Sequence, residues 1–172
     1  PELIDAGIDS FKIEGRMKTA LYVATVARTY RKAIDDYLKD PKLYEANMEW
    51  YKEEIGKCTY REFTTGFYFG KPGSDAQIYN SNTYVKNYTY LGTVEEADGK
   101  GRCRIEQKNK FSVGETIEIM KPDGRNLEVV VKSICDEDGN EQESAPHPKQ
   151  ILWVDLGADV DKYDILRKKE DN

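Results

Sequence analysis

The sequence predicts an α+β chain in two parts: a short extended run with two helices over residues 1–59, and a small antiparallel β-barrel over residues 60–172. Three observations carry that prediction. Apolar residues recur at helical spacing between Met17 and Ile55. After Tyr60 the composition turns to Thr, Tyr, Val and Gly in short alternating runs. Glycine-bearing turns then punctuate those runs.

In chain order, residues 1–6 followed by Gly7 read as a helix tail with its glycine cap, and Ile8, Phe11 and Ile13 give a short extended stretch. Gly15 breaks it. From Met17 onward Val23, Ala27, Tyr30, Ile34 and Tyr37 recur at steps of 4, 3, 4 and 3, which predicts a helix over residues 17–38 with those side chains on its apolar face. Strand, glycine turn and helix make the end of a β-α unit, whose loop lies where α/β proteins place ligands. A single parallel strand needs neighbours. With Pro1 in place of an initiating Met, the chain reads as a piece of a longer protein. Residues 1–15 are therefore expected to be poorly anchored or to pair with another copy. Asp40-Pro41 is a cap followed by proline in the first turn, and Tyr44, Met48, Tyr51 and Ile55 space a second amphipathic helix closed by Gly56. The two helices should form a hairpin or a bent arm joined near Lys39.

Six strands are predicted, over residues 88–95, 102–107, 116–120, 127–134, 151–156 and 164–167. Asp98-Gly99-Lys100-Gly101, Pro122-Asp123-Gly124-Arg125 and Asp138-Gly139-Asn140 can each supply the positive φ angles of a tight turn. Short strands with close turns favour a closed barrel, which removes exposed edges; a two-sheet sandwich is the alternative.

Charged residues make up 34% of the chain and the net charge is −6, which excludes a strongly basic, autonomous nucleic-acid binder. Cys58, Cys103 and Cys135 are far apart and odd in number, so neither a disulfide framework nor a zinc site is expected, and reduced cysteines suggest the cytoplasm. No apolar run approaches membrane-spanning length.

Several residues could carry chemistry. Arg16 and Lys18 sit at a helix start, where free N–H groups and the dipole favour an anion, and Glu14 could orient the arginine or act as an acid or base. Against this stands an ordinary solvated ion pair worth about 1 kcal/mol or less. Tyr22, Arg28, Tyr30 and Arg31 could extend a polar face, or be packing tyrosines with solvated arginines. "TYREFTTGFYFGKP", residues 59–72, could stack bases or a peptide ring, or pin a linker onto the next domain. Arg102, Arg104, Lys108 and Lys110 cluster in one hairpin and could touch a nucleic-acid backbone, but Glu95, Glu96, Glu106 and Glu115 dilute that patch. His147 has no Ser or Cys companion nearby.

"IDSFKIEGRMKTALYVATVARTYRKAIDDY" resembles the region that ends the catalytic barrel of the collagenase-like peptidase family, family U number 32 of unknown catalytic type. "REFTTGFYFGKP" is similar to that family's junction into its carboxyl-terminal domain, and "YLGTV" with "EQKNKFSVGETIEIMKPDG" is similar to that domain's small barrel. The resemblance implies that residues 8–13 are a last strand of a TIM-like (β/α) barrel and 17–38 its helix, with the rest of the catalytic barrel upstream as the missing partner. Glu14, Arg16 and Lys18 would then be catalytic residues at the active-site mouth of the full-length protein. Tyr22, Arg102, Arg104, Lys108 and Lys110 would contact substrate.

The family includes collagen-degrading members and RNA hydroxylation factors with an iron–sulfur cluster held by upstream cysteines, a set that Cys58, Cys103 and Cys135 do not match. The leading expectation is a substrate-recruiting or scaffolding region of a peptidase, a hydrolase, inactive alone and without a cofactor or metal of its own. The rivals are an RNA-binding domain of a tRNA or rRNA hydroxylation protein and a structural or dimerisation module. The partners implied are a polypeptide or RNA substrate, with a homo-oligomer open and no membrane.

Overall fold

The computed structural model describes residues 1–61, 63–74 and 84–170. Helix α1 (Glu2–Asp5) is a single turn, ended by Gly7 at φ +77°, where the Ile8 N–H donates back to the Leu3 carbonyl at 3.1 Å. Helix α2 (Ala20–Lys39) starts three residues later than the spacing predicts, because Thr19 supplies the cap: its Oγ1 accepts from the Tyr22 N–H at 3.3 Å. Asp40 caps α3 (Pro41–Ala46) by accepting from the Lys42 N–H at 2.9 Å, with Pro41 in the first turn as read from sequence.

The predicted second helix is two pieces, α3 and α4 (Met48–Ile55), broken at Asn47. Asparagine is a poor interior helix former, and here its side-chain amide donates to Asp36 of α2 at 2.9 Å. Asp36 also accepts from the Tyr51 hydroxyl at 2.6 Å and from Lys32 at 2.8 Å, so one buried carboxylate ties all three helices together. Along the same seam Tyr37 meets Tyr44 edge to face at a centroid distance of 5.7 Å, and Tyr44 stacks on Tyr51 at 5.5 Å. The result is the bent arm expected from the sequence.

Two readings of this region need correction. Residues 8–15 form no strand, and Ile8, Phe11 and Ile13 lie exposed, because no neighbouring strand offers them backbone partners. The apolar stripe of α2 is also not its buried face. Val23 and Tyr30 are 42% and 49% exposed, while Leu21, Thr25, Val26, Arg28, Thr29 and Asp36 are buried. Arg28, read as a solvated arginine, is thus inside.

Strands β1 (Thr59–Tyr60) and β2 (Val85–Lys86) pair as a short antiparallel ribbon that leads from the helices into the sheet. The other strands are β3 (Tyr88–Ala97), β4 (Arg102–Glu106), β5 (Thr116–Met120), β6 (Asn126–Val130), β7 (Ser133–Cys135), β8 (Glu141–Gln142), β9 (Ile151–Asp155) and β10 (Ile165–Lys169). They form one antiparallel sheet in the order β6-β5-β10-β3-β4-β9-β7-β8.

The single strand predicted over residues 127–134 is split into β6 and β7 by a bend at Val131–Lys132. The Val131 N–H donates to Glu115 at 3.0 Å, while the next N–H, of Lys132, donates to Asp155 at 2.9 Å. One continuous segment therefore pairs with β5 by its first half and with β9 by its second. That is how the sheet curls into a half-barrel around Leu91, Val94, Ile105, Phe111, Ile119, Ile134, Leu152 and Leu166.

The three turns named from sequence have their glycines at positive φ: Gly99 and Gly101, Gly124, and Gly139. Gly92 in β3 answers a different need, since a Cβ there would stand 3.0 Å from the Glu106 carbonyl oxygen of β4. Helix α2 lies against the outside of the half-barrel, where Leu21 and Cys58 meet Met120 of β5 and Ile165 of β10.

Candidate functional site

Three places on this fold gather chemistry-bearing residues. The first is the turn before α2. The Arg16 N–H donates to Glu14 Oε1 at 3.1 Å, and the two side chains approach to 3.9 Å while 84% and 61% exposed. Lys12 also approaches Glu14, at 3.9 Å. Lys18 points elsewhere: its Nζ lies 5.2 Å from the Tyr22 ring and 4.8 Å from the Tyr84 ring. The Arg61 guanidinium sits 4.8 Å from the same Tyr84 ring. Lys18 and Tyr22 therefore join Arg61 and Tyr84 in one cation–aromatic group, while Glu14 and Arg16 pair separately in solvent. Burial, then the nearby Cys58 and Tyr30, push the Tyr22 phenol above its ordinary value.

The second place is the hairpin of β3 and β4. Arg104 meets Glu95 at 2.5 Å, Glu96 at 3.6 Å and Glu137 at 3.5 Å. Arg102 lies over the Trp153 ring at 5.5 Å, Lys108 is paired with Glu106, and Lys110 is exposed. A groove of about 580 Å³ beside them is lined by Tyr90, Thr93, Arg104, Lys108 and Tyr163, and also by Glu95, Glu96 and Glu106. The four basic residues do not make a free positive patch: two of them are already matched by carboxylates.

The third place was not read from the sequence. Where α4, the β1–β2 ribbon and the end of β10 meet, a cleft of about 590 Å³ is lined by Lys52, Lys57, Tyr60, Asn87, Tyr88 and Lys169, with Glu53, Gly56 and Glu170. Tyr60 stacks on Phe63 at 4.5 Å. Lys57 meets Glu53 at 3.0 Å and Glu54 at 3.4 Å. Burial alone would lower the Lys57 pKa, but the Glu53 hydrogen bond and the Glu118 and Glu54 charges hold it above its ordinary value.

Behind the cleft lies a buried charge cluster. Glu54, 1% exposed, accepts from Arg167 at 2.7 Å, from Asn126 at 2.8 Å and from Arg28. Arg28 also donates to the Lys121 carbonyl at 2.7 Å, and Arg167 to Glu118 at 2.5 Å. Residues of α2, β6 and β10 thus converge on one carboxylate of α4, with Glu118 of β5 as the second partner of Arg167. Burial works against its charge, but Arg167 and Arg28 outweigh that and keep the Glu54 carboxyl below its ordinary range.

Apart from Tyr60, which opens the aromatic segment, the cleft's members do not stand out locally: Lys52 looks like an ordinary cation in α4, Lys57 like one just past its end, and Lys169 like a strand end. Only the fold brings them together. Within the aromatic segment read from sequence, Phe67, Tyr68 and Phe69 are exposed, which does not match a linker pinned by its aromatics; Glu62 of that segment lies outside the described residues.

The cysteines do not fit an iron–sulfur cluster. A cluster requires its cysteines brought together. Cys58 and Cys103 belong to separate apolar clusters. Among the described residues no helix is long and apolar enough to cross a membrane.

Known proteins share both parts of this arrangement. Residues 1–78 match the model described as Peptidase family U32, and residues 86–167 match that of the Peptidase family U32 C-terminal domain. The "tRNA hydroxylation protein P1" of Bacillus subtilis is 38% identical over 169 residues, which are 98% of this chain and 40% of that protein. The "tRNA hydroxylation protein P" of Escherichia coli is 30% identical over 168 residues, 96% of this chain and 36% of that protein. A "Collagenase" of Porphyromonas gingivalis is 39% identical over 114 residues, 60% of this chain and 27% of that protein. This chain therefore spans at most 40% of the length of these relatives. With two models of one family matching residues 1–78 and 86–167, the chain belongs to peptidase family U32 and carries that family's C-terminal domain.

Proposed function

We propose that this chain is the RNA-recruiting carboxyl-terminal region of a tRNA hydroxylation protein, without catalysis of its own. One observation carries the reading: similarity to relatives of that name runs through 98% and 96% of the chain, whereas the match to the collagenase covers 60%. The sequence put a polypeptide substrate first; the extent of these matches favours RNA. In this reading the half-barrel presents RNA to a catalytic barrel supplied by the upstream part of the protein, in the cytoplasm. Glu14 and Arg16 are placed to face that barrel's mouth once residues 8–13 have strand neighbours, and any cluster cysteines come from upstream. A net charge of −6 does not oppose this, because a local cationic face decides contact with phosphates.

The test is an equilibrium titration of the chain with bulk transfer RNA at several salt concentrations. About four phosphate contacts to a single-stranded segment give a slope near −2.8 in log K against log salt, roughly a 50-fold loss between about 50 and 200 mM salt. Absence of binding at about 50 mM salt, or binding to gelatin alone, would overturn the reading and return the polypeptide one.

A further inference from the structure

We infer that the cleft between α4, the β1–β2 ribbon and β10 holds the phosphate backbone of a single-stranded RNA segment, and that Tyr84 and the Tyr60–Phe63 stack receive its bases. This rests on the RNA reading and gives that reading a site.

The argument begins with charge. In a chain of net −6, the cleft and its rim gather Lys52, Lys57, Lys86 and Lys169 against Glu53 and Glu170. Lys52 meets Glu49 at 2.9 Å as a solvent-exposed pair that a phosphate can replace at little cost, and Lys86 meets the half-buried Glu170 at 3.1 Å. Lys169 is exposed and has no carboxylate partner among the described residues. The hairpin groove is less cationic: Glu95, Glu96 and Glu106 line it against Arg104, Lys108 and Lys162 and hold the first two, so a backbone entering it would meet as many carboxylates as cations.

Continuity comes next. Tyr60 lines the cleft and is paired with Val85 across the ribbon. The residues that follow this pair on the two strands are Arg61 and Tyr84, which meet each other and Lys18. A path therefore runs from the cleft along the ribbon to a second cationic group, with an aromatic ring at each end. Alternating cations and exposed rings is how sequence-tolerant single-strand binding is built: cations follow phosphates and rings stack bases. Tyr84 is 49% exposed, so a ring face remains available while Lys18 and Arg61 hold the ring in place.

The experiment uses fluorescence anisotropy of the chain with an end-labelled oligouridine and, separately, with bulk transfer RNA. Lys52→Ala with Lys169→Ala should lower affinity roughly 25-fold at about 0.1 M salt and flatten the salt slope by about 1.4, the loss of two phosphate contacts. Tyr84→Ala should cost at least about 5-fold and Tyr84→Phe almost nothing, as expected of stacking. Lys42→Ala with Lys100→Ala, exposed lysines elsewhere, is the control. All these positions are exposed, so unchanged circular dichroism is expected and checked. If the wild type binds and the cleft variants bind equally well, or if Arg102→Ala with Lys108→Ala removes binding instead, the cleft is wrong and the RNA reading stands. If the wild type binds neither probe, both fall.

Discussion

Replacing Glu54 by alanine removes the carboxylate on which the helical arm and the half-barrel converge. Glu54 is 1% exposed and accepts from Arg167 at 2.7 Å, from Asn126 at 2.8 Å and from Arg28, with Lys57 at 3.4 Å. Without it, Arg28 keeps only neutral oxygens, the Lys121 and Arg125 carbonyls and the Asn126 side chain, and Arg167 keeps Glu118. Two guanidiniums that are 7% and 0% exposed are then left with one carboxylate, Glu118, which bonds Arg167 alone. Breaking such a cluster by removing one partner costs about 3–5 kcal/mol. For a chain of 172 residues, a loss of that size lowers the unfolding midpoint by about 6–20 °C.

Trp50 in α4 and Trp153 in β9 report on the two parts separately, so urea unfolding followed through Trp50→Phe and Trp153→Phe backgrounds measures both. The arm should loosen at lower urea than the half-barrel, whose own core does not include Glu54. Exchanging Arg28 for methionine as well should cost less than the sum of the two single changes, because the second change removes a charge that the first left unpaired. A loss below about 1 kcal/mol for Glu54→Ala would refute the claim that this carboxylate joins the two parts.

The same cluster sets a pH dependence. The Glu54 and Asp36 carboxyls are both held below their ordinary values, burial opposing and the surrounding cations and hydrogen-bond donors prevailing. A depressed folded pKa gives stability that is present above the unfolded value and lost as pH falls through the folded one. Thermal midpoints should thus hold steady from about pH 7 to 5 and drop below about pH 4, and a midpoint unchanged at about pH 3 would contradict this. For the thiols, Cys58 and Cys103 are fully buried, with pKa values of about 11 and 12, while Cys135 is partly exposed. A native-state thiol assay should find one fast-reacting cysteine, and Cys135→Ser should abolish it. Gly101→Ala should destabilise by about 1–3 kcal/mol, measured by urea unfolding. At φ +101° its Cβ would stand 2.8 Å from Gly157 Cα and 2.9 Å from the Ala158 nitrogen, with no flexible side chain to give way.

What was legible in the sequence follows the range of the forces involved. Elements governed by neighbouring residues came through: the Asp40-Pro41 start, the glycine turns at 98–101, 122–125 and 138–140, and strands such as β5, whose Ile117 and Ile119 alternate with polar residues. The bend at Val131–Lys132 was not visible, because nothing in the residues 127–134 says that their partner changes from β5 to β9 halfway along. Asn47 could have been flagged as a weak point in a helix, but its bond to Asp36 is a tertiary fact. The candidate corner divided for the same reason. Glu14 and Arg16 found each other at a separation of two residues, whereas Lys18 joined Tyr84, sixty-six positions away, and left the pair.

The misreading of α2 shows why burial cannot be inferred from an apolar stripe alone. Its steps of 4, 3, 4 and 3 are a sound helix signal, and the helix is there. But a periodic pattern says only that one face differs from the other, not which face this half-barrel covers. Here the buried face carries Leu21 and Val26 but also Thr25, Arg28, Thr29 and Asp36, whose partners are Met120, Glu54, the Thr25 carbonyl and Tyr51. Polar side chains can be buried when they find partners, and such directional contacts restrict the arm to one docked position more tightly than interchangeable apolar contacts would. The opposite face, with Val23 and Tyr30 uncovered, belongs to a stretch matched to Peptidase family U32 rather than to its C-terminal domain. The helix thus has two different surfaces, a mixed polar and apolar one that is buried and a more exposed one that carries Val23 and Tyr30. A movement of α2 would reach the half-barrel through Arg28, Glu54 and Arg167, the residues that also form the wall behind the lysine-lined cleft.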